Sequence, residues 1–280
     1  MTIGETLTHS RILLEKHGIP DPETDSLLLV SHIAGLDMLM TRLEKNRPLT
    51  TEQEQRLSSL LLSRTQRKPL QYLLGEQWFY GRRFIVDKRV LIPRQETESL
   101  CSLAISFLTD RKNGIALDLC TGSGAIAVTL AAECPHIQVY ASDLSPDALD
   151  VARMNATANQ VTVSFCEGDL FEAVSEGLRF DVIISNPPYI PSADCKNLQQ
   201  EVLKEPVMAL DGGGDGLDFY RRIVTEAPHY LKPGGALMME IGYDQGEKVS
   251  SMCVNAGYVD VLVHRDLYGQ QRMVTGKRPL

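Results

Sequence analysis

The chain has 280 residues, 43% of them hydrophobic, and carries a net charge of −8 with a pI near 5.3. This length excludes a very small scaffold and is sufficient for two domains with a sizeable core. The acidic balance disfavours nucleic acid as a partner, because broad binding to a phosphate backbone needs many Lys and Arg side chains on one face.

The first residues and the cysteines predict a cytoplasmic protein. Residues 1–6 lack the basic start and apolar run of a secretory signal, and no apolar stretch reaches the length of a bilayer. The six cysteines form neither a Cys-x-x-Cys pair nor a cluster with zinc-ligand spacing. We therefore expect reduced thiols, no membrane partner and no metal.

Residues 1–75 show leucine and isoleucine at helical spacing, which predicts a small helical bundle. Asp21 followed by Pro22 is typical of an N-cap with proline at the first helical position. The segment Thr51-Glu52-Gln53-Glu54 has the form of a capping box, which predicts a second helix start.

Residues 76–93 have a strand-like pattern instead. Phe84-Ile85-Val86, the turn-prone pair Asp87-Lys88 and Val90-Leu91-Ile92 precede Pro93. We interpret these segments as a β-hairpin that links the helical domain to a second domain at residues 94–280.

From residue 115 onward, apolar strand-like segments alternate with helical ones, which predicts an α/β fold with a doubly wound, mostly parallel sheet. The predicted strands are Ile115-Ala116-Leu117, Val139-Tyr140-Ala141, Val161-Thr162-Val163, Val182-Ile183-Ile184 and Ala236-Leu237-Met238-Met239. Ligands of such sheets bind at the carboxyl ends of the strands. The motifs that carry chemistry fall at those ends.

A glycine loop follows the first of these strands, where Gly122, Gly124 and Ala127 satisfy the pattern Gly-x-Gly-x-x-Gly/Ala. Asp143 ends the next strand at a typical distance for a carboxylate that binds ribose hydroxyls, and Ser145 is the expected N-cap of the following helix. This pattern alone leaves both NAD and S-adenosylmethionine open, since both contain that ribose.

Asp118 favours S-adenosylmethionine over NAD. A carboxylate at this strand end would repel a pyrophosphate, whereas it favours a nearby cationic ammonium group. S-adenosylmethionine has that ammonium group and no phosphate. We therefore expect S-adenosylmethionine as cofactor, with S-adenosylhomocysteine as product.

The segment Asn186-Pro187-Pro188-Tyr189 follows an apolar strand and lies at the same predicted sheet edge. Its prolines fix φ and remove two N–H donors, so the segment presents acceptors on a stiff backbone. We predict Asn186 and Pro187 as catalytic residues, whose side-chain oxygen and carbonyl accept the two N–H bonds of a planar nitrogen. We expect Pro188 and Tyr189 to complete the substrate site, with Tyr189 packed on the planar group.

A second glycine run, Asp211-Gly212-Gly213-Gly214-Asp215-Gly216, lies at the end of a long loop at about 190–215. Its acidic neighbours argue against a phosphate site. Long loops in compact domains are often functional lids, so we interpret this loop as a mobile cover over the substrate.

These residues resemble the release factor glutamine methyltransferases, which share a loop of the form Asp-Leu-x-Thr-Gly-Ser-Gly-Ala-Ile-Ala and the segment Asn-Pro-Pro-Tyr-Ile. The resemblance covers nearly the whole chain, including Ile92 to Glu98, Glu205-Pro206, and Gly216 to Tyr220. It implies a Rossmann-like class I S-adenosylmethionine-dependent methyltransferase fold. We also expect the helical domain at residues 1–75 to recognise the substrate together with the hairpin, where Arg82, Arg83, Lys88 and Arg89 are basic in an otherwise acidic chain. The implied reaction is methylation of the side-chain amide of the glutamine in the Gly-Gly-Gln motif of class I peptide chain release factors.

The resemblance also implies a set of contacts. Asn186 to Tyr189 would hold the glutamine, and Cys120 to Gly124, Asp143 and Leu170 would contact the cofactor. Two of these residues depart from the family. Glycine is usual at the position of Cys120, and some members have an aromatic residue at the position of Leu170. Together with our own expectations for Asp118, for Asp169 beside the adenine and for Asn186, the predicted cofactor-binding residues are Asp118, Cys120, Thr121, Gly122, Ser123, Gly124, Asp143, Asp169, Leu170 and Asn186.

Two other functions stay open on the residues alone. The exocyclic amino group of adenine in DNA or RNA is also a planar nitrogen with two N–H bonds, so the same tetrapeptide fits an adenine methyltransferase. A non-enzymatic protein that merely retains cofactor affinity is the third possibility. The acidic pI and the absence of a basic target-recognition domain disfavour the nucleic-acid enzyme.

Overall fold

A computed structural model describes residues 1–266 and 268–280. The chain divides into two compact units, one formed by 1–75 with 199–204 and the other by 76–198 with 205–280. Among the described residues, no helix combines the length and the apolar character required to span a membrane.

The smaller unit is helical, as its leucine pattern predicts. Its helices are α1 (Ile3–Lys16), α2 (Pro22–Ala34), α3 (Met38–Leu43), α4 (Thr51–Thr65) and α5 (Leu70–Leu74). Asp21 caps α2 through its side chain, and Pro22 stands at the first helical position, which confirms that prediction. The predicted capping box is wrong by one residue, because the cap of α4 is Thr50, which pairs reciprocally with Gln53.

Loop residues Gln199–Lys204 pack with these helices. Glu201 accepts hydrogen bonds from Arg64 at 2.9 Å and from Arg67 at 3.2 Å, and the Arg64 guanidinium also binds Asp25 at 2.6 Å. Arg64 and Asp25 are both buried. This paired, hydrogen-bonded set is the form in which charges are tolerated inside a protein.

The larger unit is built on a seven-stranded sheet. Its elements are β1 (Glu76–Phe79), β2 (Arg82–Ile85), α6 (Gln95–Leu108), β3 (Ile115–Leu119), α7 (Ala125–Glu133), β4 (Gln138–Asp143), α8 (Pro146–Ala158), β5 (Ser164–Glu167), β6 (Phe180–Ser185), α9 (Asp218–Glu226), β7 (Leu231–Glu240), α10 (Gly246–Asn255), β8 (Val259–Arg265) and β9 (Gln271–Lys277).

The strand order is β5-β4-β3-β6-β7-β9-β8, with β1 and β2 forming a separate hairpin. Strands β3 to β7 are parallel, and β9 runs antiparallel to both of its neighbours. Successive residues point to opposite faces, so Ala116 joins one buried cluster while Leu117 joins the other. This confirms an α/β, mostly parallel and doubly wound sheet, with its topological switch between β3 and β6.

The predicted hairpin exists at other residues. Its strands pair Phe79 with Arg82 across the two-residue turn Tyr80-Gly81, and both turn residues have positive φ, of 50° and 70°. Such a turn matches the twist of a hairpin, but Tyr-Gly is not the usual Asn-Gly signal. The predicted strand Val90-Leu91-Ile92 is wrong: Val90 and Ile92 are buried but belong to no strand.

The predicted strand Val161-Thr162-Val163 is also wrong. Those residues follow Gln160, whose φ is +58°, and the strand β5 begins only at Ser164. Val161 and Val163 pack against the core outside the sheet, which explains their apolar character. The predicted cap of α8 is confirmed, with Ser145 accepting a hydrogen bond from Ala148 and Pro146 at the first position.

Candidate active site

A cavity of about 920 Å³ opens at the carboxyl ends of β3, β4 and β6. This is the edge at which doubly wound sheets bind ligands. The cavity is large enough for a cofactor-sized ligand. Its walls contain residues from the glycine loop, from the end of β4 and from the loop after β6.

The backbone of the glycine loop adopts positive φ at three alternate residues. Cys120, Gly122 and Gly124 have φ of 60°, 56° and 79°. At Gly122 no atom lies within 4 Å of where a Cβ would be, so the missing side chain leaves open space at the cavity wall. At Gly124 a Cβ would lie 3.0 Å from the Cβ of Ala152, so this glycine permits close packing of α7 on α8.

Asp118 lies beneath this loop and is not part of the cavity wall. Its Oδ2 accepts hydrogen bonds from the Thr121 hydroxyl at 2.6 Å and from the Ala127 amide at 3.1 Å. Its Oδ1 is buried and has no partner among the described residues. Burial raises the pKa of this carboxyl to about 7. An unpaired buried oxygen is costly, and a cation bound nearby would offset that cost.

Asp143 ends β4 and lines the cavity. Its Oδ2 accepts the Gly122 amide at 2.8 Å and its Oδ1 accepts the Ser145 amide at 2.9 Å. Burial raises the pKa of Asp143, while these backbone donors act against that rise. The carboxylate is thereby held at one position, and each oxygen retains a lone pair for hydroxyl donors.

Asp169 and Leu170 form another part of the wall. Leu170 is buried and has φ of +51°, an uncommon conformation for a branched side chain. The Asp169 carboxylate forms an ion pair with Arg222 at 2.9 Å. Arg222 also lines the cavity, and sequence reasoning missed it because it lies inside α9, away from any motif.

Asn186 and Pro188 line the same cavity, because β6 pairs with β3 and delivers its carboxyl end beside the glycine loop. Pro187 and Tyr189 do not line it. The Tyr189 side chain packs against the buried cluster that contains Tyr220, and its carbonyl accepts a hydrogen bond from Gln245 at 3.0 Å. The Pro187 carbonyl accepts no hydrogen bond from the described residues.

The second glycine run packs on this tetrapeptide. A Cβ on Gly212 would lie 2.7 Å from the Cα of Tyr189, and one on Gly216 would lie 2.4 Å from the Tyr189 carbonyl oxygen. Both distances are too short for any side chain. The run therefore contains glycines because two backbones touch there, a reason that the sequence alone did not supply.

The loop before this run contributes Val207 and Met208 to the cavity wall, and both side chains are exposed. Its course is fixed by a bridge between Ile190 and Asp211. At the other end, the buried Glu205 carboxylate accepts a hydrogen bond from the Ile92 amide at 2.9 Å. Whether this loop moves as a cover stays a prediction.

Two buried residues that the motifs did not indicate contact Asn186. Its Nδ2 donates to the Thr97 hydroxyl at 3.2 Å, and that hydroxyl donates to Glu240 Oε2 at 2.6 Å. A signal existed for Glu240, since an acidic residue there ends an apolar strand at the ligand-binding edge. For Thr97 the only signal was its place within the segment Ile92 to Glu98.

The predicted cofactor residues thus separate into two groups. The cavity wall includes Cys120, Gly122, Asp143, Asp169, Leu170 and Asn186. The remainder lie behind the wall and shape it: Asp118, Thr121, Ser123 and Gly124. No group of three or more His, Cys, Asp or Glu residues that would hold a metal ion occurs in the described ranges.

Known proteins resemble both parts of the chain. Residues 5–75 match the PrmC N-terminal domain, and residues 95–217 match the Methyltransferase small domain. The release factor glutamine methyltransferase of Geobacter sulfurreducens is 42% identical over 277 residues, which cover 99% of this chain and 96% of the relative. That of Deinococcus radiodurans is 38% identical over 278 residues, 99% of each chain.

The chain belongs to the release factor glutamine methyltransferase family. In this family member the Asn-Pro-Pro-Tyr segment and the glycine loop adjoin one cavity, as the resemblance in sequence implies. A solved methyltransferase from Pyrococcus furiosus has the same fold, with a TM-score of 0.52 at 19% identity, over 82% of this chain and all of that one.

Proposed function

We propose that this protein transfers a methyl group from S-adenosylmethionine to the side-chain amide of the glutamine in the Gly-Gly-Gln motif of class I peptide chain release factors. The observation that carries the proposal is the position of Asn186, whose amide nitrogen is bound inside the protein while its residue lines the cavity. Full-length similarity to release factor glutamine methyltransferases favours glutamine over adenine.

The cavity suits S-adenosylmethionine. Asp143 offers a fixed carboxylate for the ribose, Leu170 an apolar wall for the adenine, and Asp118 a buried negative charge for the ammonium group. Because the Asp118 carboxylate lies behind the cavity wall, it attracts the ammonium group electrostatically and does not contact it. When bound, the cofactor supplies a methyl group on a positively charged sulfur.

Asn186 and Pro187 orient the amide of the substrate. An amide nitrogen is a poor nucleophile because its lone pair is delocalised, and ordinary side chains are too weak as bases to deprotonate it. The Asn186 side-chain oxygen and the Pro187 carbonyl accept its two N–H bonds, which turns the lone pair toward the methyl group.

These two acceptors also lower the barrier. Positive charge moves onto the attacked nitrogen during transfer, so each accepted hydrogen bond strengthens between the ground state and the transition state. The extra proton leaves afterwards to water. Pro188 and Tyr189 hold the acceptors in place, with the Tyr189 carbonyl bound by Gln245.

We further propose that residues 1–75 recognise the release factor and that 76–93 connect them to the catalytic domain at 94–280. The compact helical unit and the match to a separate N-terminal domain family support this division. The reaction belongs in the cytosol, where release factors act.

The test offers labelled S-adenosylmethionine to the purified protein together with one of three substrates. These are a class I release factor, the same factor with its motif glutamine changed to asparagine, and unmethylated DNA. We expect label only in the first. Label in DNA alone would overturn the proposal, and label in both forms of the release factor would show that the motif glutamine is not the acceptor.

A further inference from the structure

An asparagine side chain has an oxygen and a nitrogen at almost equivalent positions, so a catalytic asparagine needs something to decide which one faces the substrate. With its oxygen toward the cavity, Asn186 accepts a substrate N–H bond. With its nitrogen toward the cavity, it presents a donor to another donor and repels the same group.

We propose that Thr97 and Glu240 are positioning residues that hold the Asn186 amide with its nitrogen inward and its oxygen toward the substrate. This inference deepens the proposed function and rests on it. The three residues come from three different elements. Thr97 lies in the first turn of α6, Glu240 ends β7, and Asn186 follows β6.

The sequence of hydrogen-bond donors and acceptors from Glu240 to Asn186 determines which end of the Asn186 amide faces inward. An ionised carboxylate only accepts, so the Thr97 hydroxyl commits its proton to Glu240 Oε2 at 2.6 Å. The Thr97 oxygen is then left as an acceptor, and the Asn186 Nδ2 donates to it at 3.2 Å. A flipped Asn186 would bring its oxygen against an oxygen that has no proton to give.

Burial makes this order costly to break. Thr97 is 4% exposed and Glu240 is 2% exposed, so water does not readily replace either partner. In such a site two acceptor oxygens that face each other, here those of Thr97 and a flipped Asn186, lose a hydrogen bond that no water replaces. The carboxylate therefore determines the orientation of the Asn186 side chain through the Thr97 hydroxyl, and a hydrogen bond from the Asn186 amide to the carboxylate favours the same orientation.

The same logic makes the orientation depend on the protonation of Glu240. Burial raises the pKa of Glu240 to about 7. Glu96 raises this pKa further, whereas Thr97, Arg272 and Asn186 lower it. The other titratable groups influenced by this carboxylate are Cys101, Tyr189 and Tyr220, all of which burial keeps neutral.

Once protonated, Glu240 can donate to the Thr97 oxygen, which frees the Thr97 proton for the Asn186 oxygen. Both orientations of Asn186 then have an internal partner. We therefore expect kcat to fall as the pH falls through about 7.

The main experiment compares Thr97→Val with Thr97→Ser, using the full chain, S-adenosylmethionine and a release factor. Thr129→Val is the matched control, because Thr129 is also a fully buried threonine and its hydroxyl has no partner among the described residues. We expect Thr97→Val to lower kcat about 10- to 100-fold with little change in cofactor Kd. Thr97→Ser should stay within a few-fold of the parent, as should Thr129→Val.

A double-mutant cycle separates positioning from packing. In an Asn186→Ala background no side-chain oxygen remains to be oriented, so adding Thr97→Val should change kcat by less than about threefold. An equal loss in both backgrounds would overturn the proposal. The double-mutant cycle compares ratios of rates on one substrate. It can therefore contradict the positioning role even when the parent methylates the release factor, so failure of this inference is distinguishable from failure of the proposed function.

Glu240→Gln tests the protonation step. Glutamine does not titrate, so the loss of kcat near pH 7 should disappear, whatever the absolute rate of this variant. The pH profile of Asp118→Asn is the comparison, since the Asp118 carboxyl titrates in the same range but does not contact Asn186. At saturating S-adenosylmethionine this variant should keep the loss of kcat near pH 7. Persistence of the parental pH profile in Glu240→Gln would exclude Glu240 as the titrating group.

Discussion

Gly212 and Tyr189 approach each other through their backbones, so that a Cβ on Gly212 would lie 2.7 Å from the Tyr189 Cα and 2.8 Å from the Pro188 carbonyl oxygen. Real Cβ atoms do not come this close to backbone. The loop after the tetrapeptide therefore rests directly on the segment that carries the catalytic acceptors. Any side chain here must displace one backbone or the other.

Gly212→Ala should consequently damage both stability and turnover. We expect the free energy of unfolding to fall by about 1–3 kcal/mol, as for overpacking elsewhere, and kcat to fall at least tenfold because Pro187 and Pro188 shift. Denaturant unfolding and methylation of a release factor measure the two effects. Gly214→Ala is the matched control: no atom lies within 4 Å of its would-be Cβ, and it should resemble the parent.

Cys120 occupies a left-handed backbone conformation, with φ of +60°, inside the cavity wall. Glycine adopts this conformation freely, whereas a β-branched residue strongly disfavours it. Cys120→Val should therefore lower the free energy of unfolding by about 2 kcal/mol or more, despite adding apolar surface. Cys120→Gly should stay within about 1 kcal/mol of the parent, because relief of strain opposes the loss of side-chain contacts.

The control for this pair is Cys166→Val. Cys166 lies in β5 with an ordinary strand backbone, where valine is favoured. If Cys120→Val were no less stable than Cys166→Val in urea unfolding, the left-handed backbone would not be the cause of any loss.

The sequence predicted β3, β4, β6 and β7 because each contains a short apolar run, and it predicted the site because the carboxyl ends of parallel strands meet at one edge of a sheet. Asp143 and Asn186 line one cavity for that reason. The cap residues Asp21 and Ser145 were predictable from local hydrogen-bonding preferences alone.

The rest depends on contacts between distant segments. Thr97 and Glu240 are 143 residues apart, and no local pattern links a hydroxyl in a helix to a carboxylate at a strand end. The hairpin turn at Tyr80-Gly81 was missed because tertiary packing overrides the usual turn preference. The segment Val90 to Ile92 is apolar because it is buried, and burial alone does not distinguish a strand from an irregular segment.

Asn186→Ala should reduce kcat by about 100- to 1,000-fold, because removal of one transition-state acceptor costs a few kcal/mol. Its effect on cofactor affinity should be small, since Asp143 and the glycine loop remain. Single-turnover methylation and calorimetric titration with S-adenosylmethionine measure these quantities separately. Turnover within a few-fold of the parent would exclude Asn186 as an acceptor.

Asp118 should make the stability of the cofactor-free protein depend on pH. Burial raises its pKa from an ordinary value of 3.8 to about 7, so folding favours the protonated form. Below about pH 4 both states hold the proton and the contribution to stability is fully present. As the pH rises toward 7 the unfolded chain ionises first, and this contribution, roughly 4 kcal/mol for such a change in pKa, is progressively lost.

Asp118→Asn lacks this titration. Its free energy of unfolding should fall less steeply than that of the parent between pH 4 and 7, and the effect of Glu240 cancels because both proteins contain it. Urea unfolding of the two proteins at several pH values measures the difference. The variant should also bind S-adenosylmethionine about tenfold more weakly, because the buried charge that attracts the ammonium group is gone. Parallel stability curves together with unchanged affinity would show that Asp118 serves only to hold Thr121 and Ala127.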